Sequence, residues 1–339
     1  MKDLSTKYMG LILQTPLIAG SCGLTGDIEA IKEFENQGIG AVVLKSIFEE
    51  EIVREMEANL KKMASMQFIY PETLDIFESE VVKDKITDQY LSLIEQTKKA
   101  VSVPVLASIN CITSNQWTYF PRQIESAGAD GLELNIFVLP SDMNKSSEEN
   151  EEIYFNIIKE VKRQVSLPIA VKISYFSSSL ASFIFKLSQT GIDGIVLFNR
   201  FYNPDFDIET LKLTSSNVLS SPEDISISLR WIALMSDSVQ CSMSASTGVH
   251  DESGLIKQIL AGADAVQIVS TLYKNGPQQI KKMLTGMGKW MTDKNYNSIQ
   301  DFRGLMSKNK SDNSGALERV QFMKYVRGFK PQISFSDDQ

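Results

Sequence analysis

The sequence predicts a parallel α/β fold closed into a (β/α)8 TIM barrel, and three observations carry that expectation. Short apolar runs rich in β-branched residues alternate with helix-length amphipathic segments along the chain. Eight such runs occur: Leu17–Gly20, Ala41–Lys45, Val103–Ile109, Gly131–Ile136, Ile169–Ser174, Gly194–Asn199, Val239–Met243 and Ala265–Val269. The even-numbered runs are entered through Gly38-Ile39-Gly40, Gly128-Ala129-Asp130, Gly191-Ile192-Asp193 and Gly262-Ala263-Asp264. There a glycine can end the preceding helix in a left-handed conformation while the next two residues start the strand. Three odd-numbered runs follow Thr15-Pro16, Val103-Pro104 and Leu167-Pro168 instead, proline being tolerated at the start of a strand before a ladder donor is needed. The alternation reads as four βαβα units, as a closed barrel requires; the competing fold, an open doubly wound sheet, usually has fewer strands and a Gly-rich first turn.

In chain order, the first run exits at Gly20-Ser21 and the second at Lys45-Ser46. A long insertion after strand 2 follows, with the Met-rich stretch Met56–Tyr70 and a helix around Thr87–Ala100; excursions of this length are often lids. Met56, Met63 and Met66 have helix-compatible spacing and read as core or lid packing. The acidic run Glu148–Glu152 reads as a solvated helix start, and RFYNPDFDIETLKL after Asn199 is the second long connection. Strands seven and eight fall within Ser238–Gly276, as strand, Thr247-Gly248 turn, helix, and a strand ending at Ser270-Thr271. Pro277–Met291 and Leu317–Val326 read as extra C-terminal helices, and Gln332–Gln339 as a frayed polar tail. No linker divides the chain, so residues 1–339 are expected to form one domain, with the barrel over about 1–305 and an extension over 306–339.

A net charge of -8 and a pI near 5.0 argue against a nucleic-acid partner, because phosphate backbones require clustered Lys and Arg. The apolar runs are strand-sized and the opening MKDLSTKYMG has no signal-peptide core, which predicts a cytoplasmic protein without a membrane segment. Cys22, Cys111 and Cys241 form no CxxC pair, and His250 is the single histidine, so no Cys or His metal site is expected. His250 reads as capping or facing solvent at the start of a helix.

Barrel chemistry belongs to the C-terminal strand ends. Those ends supply Lys45, Asn110, Asn135, Lys172, Asn199-Arg200, Thr247-Gly248 and Ser270-Thr271. Lys45 and Lys172 each follow an apolar run and should point into the mouth, where a buried ammonium needs an anionic or electron-rich partner. The bland alternative is two lysines that snorkel with solvated heads. For Asn135 and Asn199 it is loop capping, and for Thr247-Gly248 and Ser270-Thr271 simple tight turns. Two turns in succession after strands seven and eight nevertheless make a cup suited to a phosphate.

With IAG at Ile18–Gly20, VVLKS at Val42–Ser46, VPVLASI at Val103–Ile109, GADGLELNI at Gly128–Ile136, LPIAVKIS at Leu167–Ser174, AGADAVQIVSTLYKNGP at Ala261–Pro277 and SIQDFRG at Ser298–Gly304, the chain resembles the dihydroorotate dehydrogenase family, closest to its soluble class 1 members. The resemblance runs from Leu17 to about Leu305. It implies FMN as cofactor and hydride transfer from dihydroorotate, giving orotate in pyrimidine biosynthesis, or from a related small anionic substrate. It further implies that Ala19 and Gly20 pack against the flavin, that Lys45 contacts flavin and substrate, and that Lys172 lies near the flavin N1 and C2 carbonyl. Asn135 and Asn199 would hydrogen-bond substrate and ring edge, and Thr247, Gly248, Ser270 and Thr271 would hold the FMN phosphate. Homodimerisation is implied as well. Lys45 and Asn135 are the candidate catalytic positions.

The chain departs from the family on the substrate side. After the strand-four Asn the family has a Cys or Ser that removes a proton, then Pro-Asn; here Asn135 is followed by Ile136-Phe137-Val138-Leu139-Pro140. Val138 cannot accept a proton, and Ser141, Asp142 or Cys22 could serve if the loop folds inward. The usual second-loop substrate motif is replaced by ASMQFIY at Ala64–Tyr70. Arg200 could clamp a substrate carboxylate or pair with Asp205 or Asp207. The cysteines provide no cluster, so a soluble electron acceptor or a separate reductase is expected. Two other functions remain in view: a non-redox lyase or aldolase using Lys172 or Lys45 as a Schiff base, and a flavin-binding protein without turnover.

Overall fold

The computed structural model describes residues 2–48, 85–111, 120–201, 203–216, 218–311 and 315–319. The Met56–Tyr70 stretch with its ASMQFIY segment and the tail Gln332–Gln339 lie outside them, as does most of the helix expected at Leu317–Val326; a short helix, Gly315–Glu318, is described.

Eight parallel strands form a closed ring: β1 (Leu17–Ala19), β2 (Ala41–Val43), β3 (Val105–Cys111), β4 (Gly131–Ile136), β5 (Ile169–Ile173), β6 (Gly194–Leu197), β7 (Ser242–Ser246) and β8 (Ala265–Ile268). Each strand pairs with the next, β8 pairs with β1, and Val42↔Val105 joins β2 to β3 across the long insertion. Closure excludes the open sheet. A two-residue strand, Ile47–Phe48, extends the edge of β3.

Each strand leads to a helix on the outside: α1 (Ile28–Asn36), α2 (Lys85–Ala100), α3 (Phe120–Ser126), α4 (Ser147–Lys162), α5 (Leu180–Ser188), α6 (Ile225–Met235), α7 (Glu252–Ala261), and after β8 a short α8 (Ser270–Asn275) followed by α9 (Gln278–Asp293). Their starts are chemically marked. Asp27 accepts from Glu29 N at α1, Ser146 and Glu149 form a reciprocal capping box at α4, and Asp251 accepts from Gly254 N at α7 (2.8 Å). The four entry glycines, Gly38, Gly128, Gly191 and Gly262, all have positive φ, as expected for left-handed helix exits.

Strand parity divides the buried residues into two cores. Leu17, Ala19, Val42, Leu44, Leu132, Leu134, Val171 and Ile173 face outward into a large cluster shared with the helices. Ile18, Ala41, Val43, Leu106, Ala170, Val196 and Ala265 face inward. This inner cluster is closed below by a hairpin the sequence did not announce, Thr6–Tyr8 with Leu11–Leu13, which buries Tyr8, Met9 and Leu13 against it.

The seventh strand lies later than predicted, at Ser242–Ser246 instead of Val239–Met243. Val239 N–H still donates to Met235 O in the turn leaving α6, and the ladder begins where Ser242 N–H meets Asp193 O. Small residues, not the most apolar ones, therefore form this strand. The connection after β6 contains an exposed antiparallel hairpin, Pro204–Asp207 with Lys212–Ser215.

Candidate active site

Above the inner apolar layer the barrel interior turns polar. Lys172 from β5 is 7% exposed and Glu133 from β4 is fully buried. Lys172 Nζ donates to Gln267 Oε1 from β8 (2.8 Å) and lies 3.5 Å from Glu133 Oε1, while Gln267 Nε2 donates to Glu133 Oε2. Asn135 stands two residues above Glu133 and pairs in register with Lys172 on one side and Asn110 on the other.

A cleft of about 370 Å³ opens on this floor, at the C-terminal ends of the strands. It brings together Cys22, Lys45, Asn135, Lys172, Asn199, Arg200, Thr247, Gly248 and Ser270 among the expected residues, and adds Ser21, Ser46, Ser220 and Gln267. Asn135 Oδ1 is buried and, among the described residues, has no hydrogen-bond partner. Asn199 Nδ2 donates to the carbonyl of Lys172 (3.4 Å), which ties the β6 exit to β5. Ser21 and Ser46 share a hydroxyl contact of 2.9 Å that continues to the buried Ser108 at 2.7 Å.

The wall after β7 and β8 is stiffly built. Thr247 and Gly248 have φ of 79° and 80°, and a Cβ on Gly248 would lie 2.1 Å from Ile225 N. Ser270 Oγ accepts from Ser220 N (2.9 Å), and Lys274 Nζ donates to Ser220 O (2.7 Å). Thr271 is buried beneath this wall, its hydroxyl donating to His250 O (3.1 Å). His250 does not cap a helix or face solvent: Asp251 is the cap, and the imidazole is buried with Nε2 3.0 Å from Ser220 Oγ. Burial, and then the neighbouring Lys274 ammonium, hold His250 below the usual histidine range. Partial desolvation of its hydroxyl, and then the neighbouring Cys22, push the phenol of the otherwise exposed Tyr273 up.

Several expected residues sit elsewhere. Ala19 is buried in the outer core. Gly20 faces the barrel axis without walling the cleft; a Cβ there would meet Val269 Cγ2 at 2.9 Å and Gln267 Oε1 at 3.3 Å. Lys45 walls the cleft but is exposed, not buried as Lys172 is, because it lies beyond the end of the β2 ladder. Arg200 pairs with neither Asp205 nor Asp207, whose carboxylates accept from backbone N–H groups of their own hairpin. Arg200 Nη1 meets Asp224 at 2.9 Å and its Nε donates to Val218 O (3.0 Å). Val138 is directed to a separate small cavity with Pro140, Tyr154, Phe176 and Phe183, and its N–H donates to Tyr154 Oη (3.2 Å). Of the three stand-ins for the base, Cys22 walls the cleft, half-buried, while Ser141 and Asp142 are exposed outside it.

Glu133 and Gln267 were missed at the sequence level although the signal was present. Each is a polar residue inside an apolar strand, and Glu133 has the same parity as Asn135 at the exit of its strand.

The candidate lyase or aldolase lysine, Lys172, is thus engaged by a carboxylate and an amide. Comparison with known proteins points the same way as the cleft. The family model described as dihydroorotate dehydrogenase matches residues 3–291. The catalytic subunit of a dihydroorotate dehydrogenase B (NAD(+)) from Thermoplasma acidophilum is 25% identical over 90% of this chain and 99% of its own length. Counterparts of the same description from Methanothermobacter thermautotrophicus and Petrotoga mobilis are each 22% identical, over 89% and 90% of this chain and 98% and 100% of their own lengths. Among the described residues no helix is long and apolar enough to cross a membrane. A barrel closed in this order, with its polar cleft at the strand exits and a family match across nearly all of it, leaves one assignment: the chain belongs to the dihydroorotate dehydrogenase family.

Proposed function

We propose that the chain is an FMN-dependent dehydrogenase acting on a CH–CH bond of a small anionic substrate, dihydroorotate or a close relative. The observation that carries this reading is Asn135 Oδ1, buried beside Lys172 without a partner among the described residues, in a cleft whose far wall is the turn pair Thr247-Gly248 and Val269-Ser270. That donor and acceptor set suits a flavin. An acceptor stands where a ring N–H could be met, an ammonium where negative charge would develop, and two strand-exit turns where a phosphate would sit.

Bound FMN would supply the hydride acceptor, N5. Lys172 commits one N–H to Gln267 and lies 3.5 Å from Glu133 Oε1, which leaves donor capacity for the cleft. Asn135 and Asn199 orient substrate and ring edge, and Lys45 at the rim draws in the substrate anion. Thr247, Gly248 and Ser270 hold the phosphate, with Thr271 bracing them from below through His250. Cys22 is the cleft group of the right chemistry to accept the substrate proton, because Val138 faces away from it. The relatives' description as catalytic subunits of an NAD(+) enzyme supports electron delivery through a separate reductase subunit.

Spectra of purified native and heat-denatured protein test the cofactor, and anaerobic mixing with dihydroorotate, dihydrouracil and related acids tests the substrate. A yellow protein that releases FMN and is bleached by one of these acids is expected. A colourless protein that cannot be reconstituted with FMN would overturn the reading.

A further inference from the structure

The Lys172–Gln267–Glu133 group is more elaborate than anchoring a lysine demands. A lone ammonium at a strand end reaches solvent or a backbone carbonyl at little cost, whereas a fully buried carboxylate is costly unless it is matched. Here the match is specific. Lys172 can only donate and an ionised Glu133 can only accept, so the Gln267 amide fits between them in one orientation, with Oε1 toward Lys172 Nζ (2.8 Å) and Nε2 toward Glu133 Oε2. The three side chains come from β5, β8 and β4, all face the barrel axis, and the carboxylate lies beneath the ammonium on the side away from the cleft.

We infer that Glu133 and Gln267 are positioning residues that govern how much of the Lys172 positive charge reaches the cleft floor, and thereby set the reduction potential of the flavin bound there. The inference rests on the FMN reading above. One cation and one anion held together present the cleft with a dipole instead of a full charge. A reduced, anionic flavin ring is therefore stabilised less than it would be by Lys172 alone. Lys172 touches the cleft; Glu133 acts only through it.

The test is the midpoint potential of the FMN-loaded protein. Glu133→Gln removes the opposing charge and keeps the shape, and its potential is expected to rise by the equivalent of at least a tenfold gain in affinity for reduced over oxidised flavin, about 30 mV for a two-electron couple. Glu133→Asp, which keeps the charge but withdraws it from Lys172, is expected to shift the potential the same way by less, and it carries the test if Glu133→Gln does not fold. In a Lys172→Met background the Glu133→Gln shift is expected to vanish, since a fully buried carboxylate left without its ammonium is held neutral and no longer differs in charge from glutamine. A flavoprotein whose potential is unmoved or lowered by the Glu133 changes, or moved equally without Lys172, overturns the inference and leaves the FMN reading standing. A wild type that takes up no FMN overturns both.

Discussion

Between Asn135 and Val138 the chain leaves the barrel mouth. Asn135 is the last inward-facing residue of β4, and by Val138 the backbone is tied to Tyr154 Oη and the side chain is turned toward Pro140, Phe176 and Phe183. The intervening Phe137 packs at a tilt against Phe201, with 4.7 Å between ring centroids, and Phe201 meets Phe176 at 4.1 Å, so aromatic packing holds this loop outward. Val138→Cys is therefore expected to leave dihydroorotate-dependent flavin reduction within about twofold of wild type, measured by stopped-flow absorbance. A gain of roughly a hundredfold, the scale of a recovered general base, would mean that the loop swings inward during turnover. Residues of this kind show what a sequence exposes and what it hides. Asn135, Lys172 and Asn199 were legible because strand parity alone delivers them to the mouth. Val138 was legible as chemistry but not as direction, and the Arg200 partner was not legible because Asp224 reaches it only through tertiary packing of the α6 approach.

At the level of elements, the turn joining β7 to α7 is where the candidate phosphate wall depends on a single backbone conformation. Gly248 lies at φ 80°, and a Cβ would come within 2.1 Å of Ile225 N and 2.6 Å of Asp224 C, the residues that open α6. Neither neighbour is the flexible end of a side chain, so α6 would have to move, and Asp224 with it, carrying its bonds to Arg200 and Ser221 N. Gly248→Ala is expected to cost about 1–3 kcal/mol for the left-handed conformation alone, with the clash in addition. Urea denaturation and FMN titration should show lowered stability and at least tenfold weaker flavin binding. Gly254→Ala, six residues on inside α7, is the control; its Cβ would meet only ordinary contacts at 3.4–3.5 Å, and both measurements should stay near wild type. The turn was readable from Thr247-Gly248 in the sequence. The limits of β7 were not, because apolar content marks Val239–Cys241 whereas the ladder uses the small residues that follow, where the narrow interior admits little else.

For the whole molecule, the inward-facing residues sort by height. An apolar layer at the bottom is sealed by Tyr8 and Met9, the Lys172–Gln267–Glu133 group lies above it, and the cleft opens above that. The alternation of strands and helices made the barrel legible, and the resemblance named its family, but the seal was not legible. Its hairpin is only three residues on each strand, and its value comes entirely from what it covers. The fit is close: a Cβ on Gly194 would lie 3.0 Å from Met9 Cγ and 3.2 Å from Tyr8 Oη, so the barrel floor is kept bare for these side chains. Removing the ring should therefore separate stability from function. Tyr8→Ala leaves an internal cavity in a fully buried site and is expected to cost about 3–5 kcal/mol, read as a lower urea midpoint for the flavin-free protein. Because the apolar layer and the charged group stand between Tyr8 and the cleft, the FMN dissociation constant measured below the unfolding transition should change by less than about threefold, well under the 1.4 kcal/mol of a tenfold effect. If flavin binding weakened in step with stability, the floor and the mouth would form one cooperative unit, and the division of the barrel into a stabilising end and a chemical end would fail for this chain.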